Sequence, residues 1–164
     1  MNSRTQVLSL FLTSLAFAHT ALAAEVYTRG AAGACNAQDD APIGASGPGL
    51  VNLNSSTAHW SCGLEVGPPL VHAQNITSVT LWVTDRSPTQ AVFAALCFRT
   101  PGATEVCGTQ VLSSGTGNGL LLTLPRPVGR FAVGTVAWID VFVPNNTSGM
   151  PFALSGVDAW RVNN

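Results

Sequence analysis

The ten prolines of this 164-residue chain all fall outside, or at the edges of, a set of short apolar runs. A proline ring has no N–H to give to the interior ladder of a sheet, so its placement tests any strand assignment. The runs themselves read as strands. They are residues 78–85 (SVTLWVTD), 91–99 (AVFAALCFR), 105–113 (EVCGTQVLS), 119–124 (GLLLTL) and 135–143 (TVAWIDVFV). Each either alternates with period two or is short, apolar and rich in β-branched residues. Weaker candidates lie at 25–29, 57–64 and 151–161, with a short one at 49–53 inside a polar, glycine-rich stretch from 36 to 56. No segment after residue 24 repeats its apolar residues at helical spacing between helix caps. Strands spaced about ten residues apart predict an all-β fold, a jelly-roll-like antiparallel β-sandwich of about eight strands.

The first residues, MNSRTQVLSLFLTSLAFAHTALAAE, have a different character. Arg4 is a short positive region, residues 7–18 an apolar core, and Ala21-Leu22-Ala23 a small-residue cleavage site, the layout of a secretory signal peptide. The expectation is a signal peptide over 1–23 and one domain over 24–164, exported to the periplasm or the medium. The apolar core is shorter than the ~20 residues that cross a bilayer, so no membrane span is expected. From residue 24 on there are six arginines, eight acidic residues and no lysine, a net charge of −2. Nucleic acid needs a basic stripe to neutralise phosphates, and none is present.

An exported chain with four cysteines is disulfide territory. Setting Cys97 against Cys107 puts Phe98 beside Val106 and Arg99 beside Glu105, with Pro101-Gly102-Ala103 as the turn. A bridge there closes a small loop and stabilises by about 3 kcal/mol in the chain-entropy model. Cys35 and Cys62 then bracket the polar stretch, at about 3.5 kcal/mol on the same reasoning. Four cysteines permit three connectivities, and the sequential one is expected here. No C-x-x-C and no close-set ligand pair points to redox or zinc chemistry.

Catalytic candidates are few. After the leader only His59 and His72 remain, and Gly44-Ala45-Ser46-Gly47-Pro48 lacks the closing glycine of a nucleophile elbow. Of the strand-associated acids, Asp85 ends its run, Glu105 faces Arg99 and Asp158 lies in a weak segment. Asp140 interrupts an apolar run and is assigned to an outer sheet face, because Ala137, Ile139, Val141 and Val143 share the inner one. Asp39-Asp40 lack the spaced ligands of a calcium loop. The expectation is a non-catalytic protein with no cofactor and no metal.

Binding has better candidates. In SVTLWVTD, Val79, Leu81 and Val83 take the core face and Trp82 stands outward between Thr80 and Thr84. Trp138 and Phe142 share the outer face with Asp140. If the two strands lie in one sheet, Trp82, Trp138, Asp140 and Phe142 form one aromatic patch beside a carboxylate, suited to sugar rings or to a protein surface; a strand buried on both faces by a second layer or a loop would show the same pattern, as core packing. Trp60 is expected to pack on a disulfide, and Trp160 to close the end of the sandwich. Asn54, Asn75, Asn145 and Asn146 begin N-x-S/T sequons, which mark exposed polar turns.

The succession of leader, early cysteine, polar loop, second cysteine and a "VTLWVTD…LCFR…VCG…AWIDVFVP" segment resembles small exported bacterial proteins of unknown function. That resemblance implies an exported β-sandwich and transfers no catalytic residue. The partner that the outward aromatics leave open is a protein or a polysaccharide.

Overall fold

In a computed structural model, residues 25–30, 34–38, 43–46, 49–53, 55–64, 73–145 and 155–163 are described, with backbone alone at 25–30, 43, 45–46 and 74. The expected signal peptide, Asp39-Asp40, His72, Asn54 and Asn146 lie outside these residues. The strands are, in chain order, β1 (Glu25–Gly30), β2 (Cys35–Ala37), β3 (Ile43–Ser46), β4 (Gly49–Asn52), β5 (Ala58–Gly63) and β6 (Ser78–Asp85). They continue with β7 (Phe93–Arg99), β8 (Val106–Cys107), β9 (Val111–Leu112), β10 (Gly117–Pro125), β11 (Val136–Val143) and β12 (Gly156–Asn163).

Two antiparallel sheets form. Sheet I runs β10-β6-β12-β4-β3, with β1 also on β12; sheet II runs β2-β5-β11-β7-β8, with β9 also on β7. From β4 to β7, and again from β10 to β12, successive strands alternate between the sheets, so each connection crosses the sandwich as in a jelly roll. Among the described residues, no helix is long and apolar enough to cross a membrane.

Period-two burial builds the core. Val79, Leu81 and Val83 of β6 are fully buried, and so are Ile139, Val141 and Val143 of β11, with Ala137 beside them. They meet Leu96 and Phe98 of β7, Leu122 and Leu124 of β10, Trp60 and Trp160. Phe131 stacks on Phe98 with centroids 4.5 Å apart, closing one end, and the Arg126 guanidinium lies over both rings.

Both bridges join directly opposed residues: Cys35 to Cys62 across β2 and β5, and Cys97 to Cys107 across β7 and β8. Phe98 sits opposite Val106, as the hairpin register requires. The turn closes with Ala103 N–H donating to Thr100 C=O, and Gly102 adopts φ 75°, a conformation open to glycine. The pairing ends there. Arg99 lies opposite Val136 of β11 and makes no ion pair with Glu105, because the chain leaves the ladder after Phe98. The run 105–113 is two short strands rather than one, since Gly108 turns its N–H to Leu96 C=O and passes Pro125 too closely for a side chain.

Candidate ligand-binding face

The outer face of sheet II is set by parity. With Trp60 and Cys62 of β5 turned inward, His59, Ser61 and Gly63 turn out; with Ile139 and Val141 of β11 inward, Trp138, Asp140 and Phe142 turn out. On β7 the outward set is Phe93, Ala95 and Cys97. Strand pairing then aligns these residues into rows across the sheet.

The first row is a ladder of rings. Phe142 lies opposite His59 on one side and Phe93 on the other. The His59 and Phe142 rings stack at 4.1 Å and 7°, and Phe142 and Phe93 at 4.6 Å and 15°. Cross-strand ring pairs of this kind stabilise by roughly 0.5–1.5 kcal/mol each beyond their burial. Both faces of Phe142 are therefore covered, and it serves as the middle of the ladder.

The second row is Asn36, Ser61, Asp140 and Ala95. His59 Nε2 lies 2.5 Å from Asp140 Oδ1, with side chains 29% and 20% exposed. A carboxylate accepts only, so this nitrogen carries the hydrogen. Ser61 and Ala95, on either side of Asp140, are shorter than the rings of the first row, so this part of the row lies lower, and exposed Asn36 borders it on β2. The third row sets half-buried Trp138 between Gly63 and the Cys97–Cys107 bridge. Residues two apart on a strand are about 7 Å apart, so the ladder and Trp138 stand about 13 Å from one another across a trough floored by Ser61, Ala95 and Asp140.

The ladder leads into a cleft of about 360 Å³ lined by Thr57, Gln90, Ala91, Phe93, Leu112 and Pro144. That size lies within the range of small-molecule sites. Its lining is an aromatic ring, aliphatic surface, one hydroxyl and one amide, with no charged side chain. A buried clasp holds one wall. Asp85, 1% exposed, accepts hydrogen bonds from Ser87 N–H, Val92 N–H and the hydroxyls of Ser113 and Ser155. Ser87 in turn accepts from Gln90 N–H, which fixes the segment carrying Gln90 and Ala91.

No family model matches the chain, and no curated protein matches it. Among solved structures it is similar to TmCBM61, a carbohydrate-binding module determined in complex with beta-1,4-galactotriose. The identity is 13%, the TM-score 0.42, and the alignment covers 79% of this chain and 82% of that one.

Trp82 does not join this face. It lies on β6 in sheet I, half-exposed between Leu121 of β10 and Ala159 of β12, on the opposite side of the sandwich from Trp138. The single four-residue patch required both strands in one sheet, and successive crossings separate them. Sheet I's outer face also carries Asp158, in a bulge of β12, which accepts a hydrogen bond from Thr84. Burial raises the Asp158 pKa above its ordinary value, and the Thr84 bond partly offsets the rise. Glu105 lies beside Cys107 Sγ, yet both nearby sulfurs are bonded to each other and offer no thiolate to a metal.

Sequence alone singles out His59 only as one of two possible catalytic histidines, and neither His59 nor Phe93 as a binding residue. His59 was within reach, because parity from Trp60 and Cys62 turns it outward. Phe93 was not, because AVFAALCFR is apolar on both faces.

Proposed function

We propose that the protein is an exported, non-catalytic binding module that takes a neutral saccharide chain on the outer face of sheet II. What carries the reading is the alignment of Trp138, Asp140 and Phe142 with His59 and Phe93 around a trough that opens toward an uncharged cleft. Sugar rings present apolar C–H faces to aromatic rings and hydroxyls to fixed donors and acceptors. Trp138 and Phe93 supply the first; Asp140, Ser61, Thr57 and Gln90 supply the second. Hydrolysis of a glycoside requires two acids flanking one bond, and among the described outward residues of these strands Asp140 stands alone. Two disulfides and the leader-like first 23 residues support a secreted or periplasmic site of action. A second reading, contact with a protein partner, is favoured by Val128 and Val133, which are 98% and 81% exposed in the connection between β10 and β11.

A glycan array probed with the disulfide-bonded protein tests the reading. Trp138→Ala is expected to lose about tenfold or more in affinity, as removal of a stacking platform should. Trp82→Ala, on the opposite face, should stay within about twofold. Equal losses from both variants, or no saccharide ligand at all, would defeat it.

A further inference from the structure

The strands at the borders of the two sheets are short, with one exception. β2, β3, β8 and β9 have two to four residues and β1 has six, whereas β10 has nine. Proteins blunt open sheet edges with short strands, lysines, prolines or bulges, because a long bare edge pairs with any compatible strand. Among the described residues β10 pairs only with β6; it carries no charged residue in GNGLLLTLP and has its irregularities at the ends, a register shift between Gly117 and Leu120 and a proline at 125.

The direction of its backbone groups can be read. Arg126 donates its N–H to Thr77 C=O, continuing the ladder past the Pro125–Ser78 pair, so even-numbered residues point their amides at β6. Leu121 and Thr123 then point theirs away from β6, and Pro125 falls where a missing N–H costs nothing. Gly108 passes the Pro125 carbonyl. At Leu121 and Thr123 no backbone partner is found among the described residues.

We propose that β10 pairs antiparallel with β10 of a second copy, about a twofold axis at Leu122. In that register Leu121 of one copy faces Thr123 of the other, and each pair exchanges two N–H···O=C bonds. The edge is self-complementary. Leu120 lies beside the second copy's Leu124, the 62% exposed Leu121 gains a neighbour on the outer face, and no like charges meet. Sheet I becomes continuous across both copies.

Sedimentation of the disulfide-bonded protein over a range of concentrations should show a monomer–dimer equilibrium. Thr123→Pro removes one outward N–H per copy, hence two bonds per dimer, and should weaken dimerisation about thirtyfold while leaving the circular dichroism of the fold intact. Hydrogen exchange on the unaltered protein gives a second readout: the Leu121 and Thr123 amides should be protected at high concentration and exchange freely on dilution. A monomer at every concentration up to millimolar, a Thr123→Pro dimer as tight as the parent, or concentration-independent exchange at both amides would overturn the proposal.

Discussion

Asp85 gives the sharpest test of how the sandwich is closed at the end that carries the cleft. Its carboxylate gathers the Ser87 N–H at 3.0 Å, the Val92 N–H at 3.2 Å, the Ser113 hydroxyl and the Ser155 hydroxyl at 3.4 Å. The same serines accept from other amides, Ser113 from Val92 and Ser155 from Arg86, so one carboxylate organises the segments after β6, after β9 and before β12. Asp85→Ala leaves the Ser87 amide and both hydroxyls short of an acceptor in a buried place. A hydrogen bond to a charged group is worth about 1.5–3 kcal/mol, and the bonds share partners, so the total is about 4 kcal/mol rather than their full sum. A domain of this size has roughly 7–15 kcal/mol to lose. Asp85→Asn keeps the shape but turns an NH2 toward donors, at about 2 kcal/mol. Urea unfolding at neutral pH measures both. With a slope of roughly 2 kcal/mol per M, the alanine variant should lose about 2 M in midpoint and the asparagine variant about 1 M, at unchanged slope. An alanine variant within about 1 kcal/mol of the parent would refute the clasp.

Graded reduction should open the Cys97–Cys107 bridge first, since Cys107 is exposed whereas Cys35 and Cys62 are 8% and 0% exposed; alkylation and peptide mass spectrometry give the order. Asp158 has a folded pKa above its unfolded one, so the folded state holds the extra proton between the two values, and stability falls as pH rises through that window. Asp158→Asn should remove this downward slope in pH-dependent melts and match or exceed the parent at neutral pH. In Gly156→Ala the new Cβ would stand 2.0 Å from Leu50 C=O, so β12 must part from β4, at about 3 kcal/mol or more in chemical unfolding.

What the sequence revealed was local. The inward sets of β6 and β11, the Cys97–Cys107 register and the exclusion of proline from strand interiors all follow from period-two alternation and turn chemistry, which act within about ten residues. What it concealed was non-local. Trp82 and Trp138 each turn outward as expected, yet nothing in SVTLWVTD or TVAWIDVFV says that their strands belong to different sheets. The His59–Phe142–Phe93 ladder depends on the order β5-β11-β7, which brings together residues 49 and 83 positions apart in the chain. Asp85 read as a strand terminus, which it is; its burial arises from Ser113 and Ser155, neither of which alternation singles out.

The placement of the two tryptophans has a geometric consequence for the proposed assembly. A twofold axis at Leu122 that keeps Leu122 inward in both copies must run perpendicular to sheet I, because any other direction would turn one copy's core face toward solvent. Such an axis leaves the outer face of sheet II on the same side of the dimer in both copies. Two troughs would then face one surface, and a polymer held by one would present its next segment to the other at high effective concentration. Trp82 lies on the far side, beside Leu121 and the new interface. Pairing at β10 would therefore take nothing from the proposed ligand face and would double it toward a single target, a division of labour that follows from successive strands crossing between sheets.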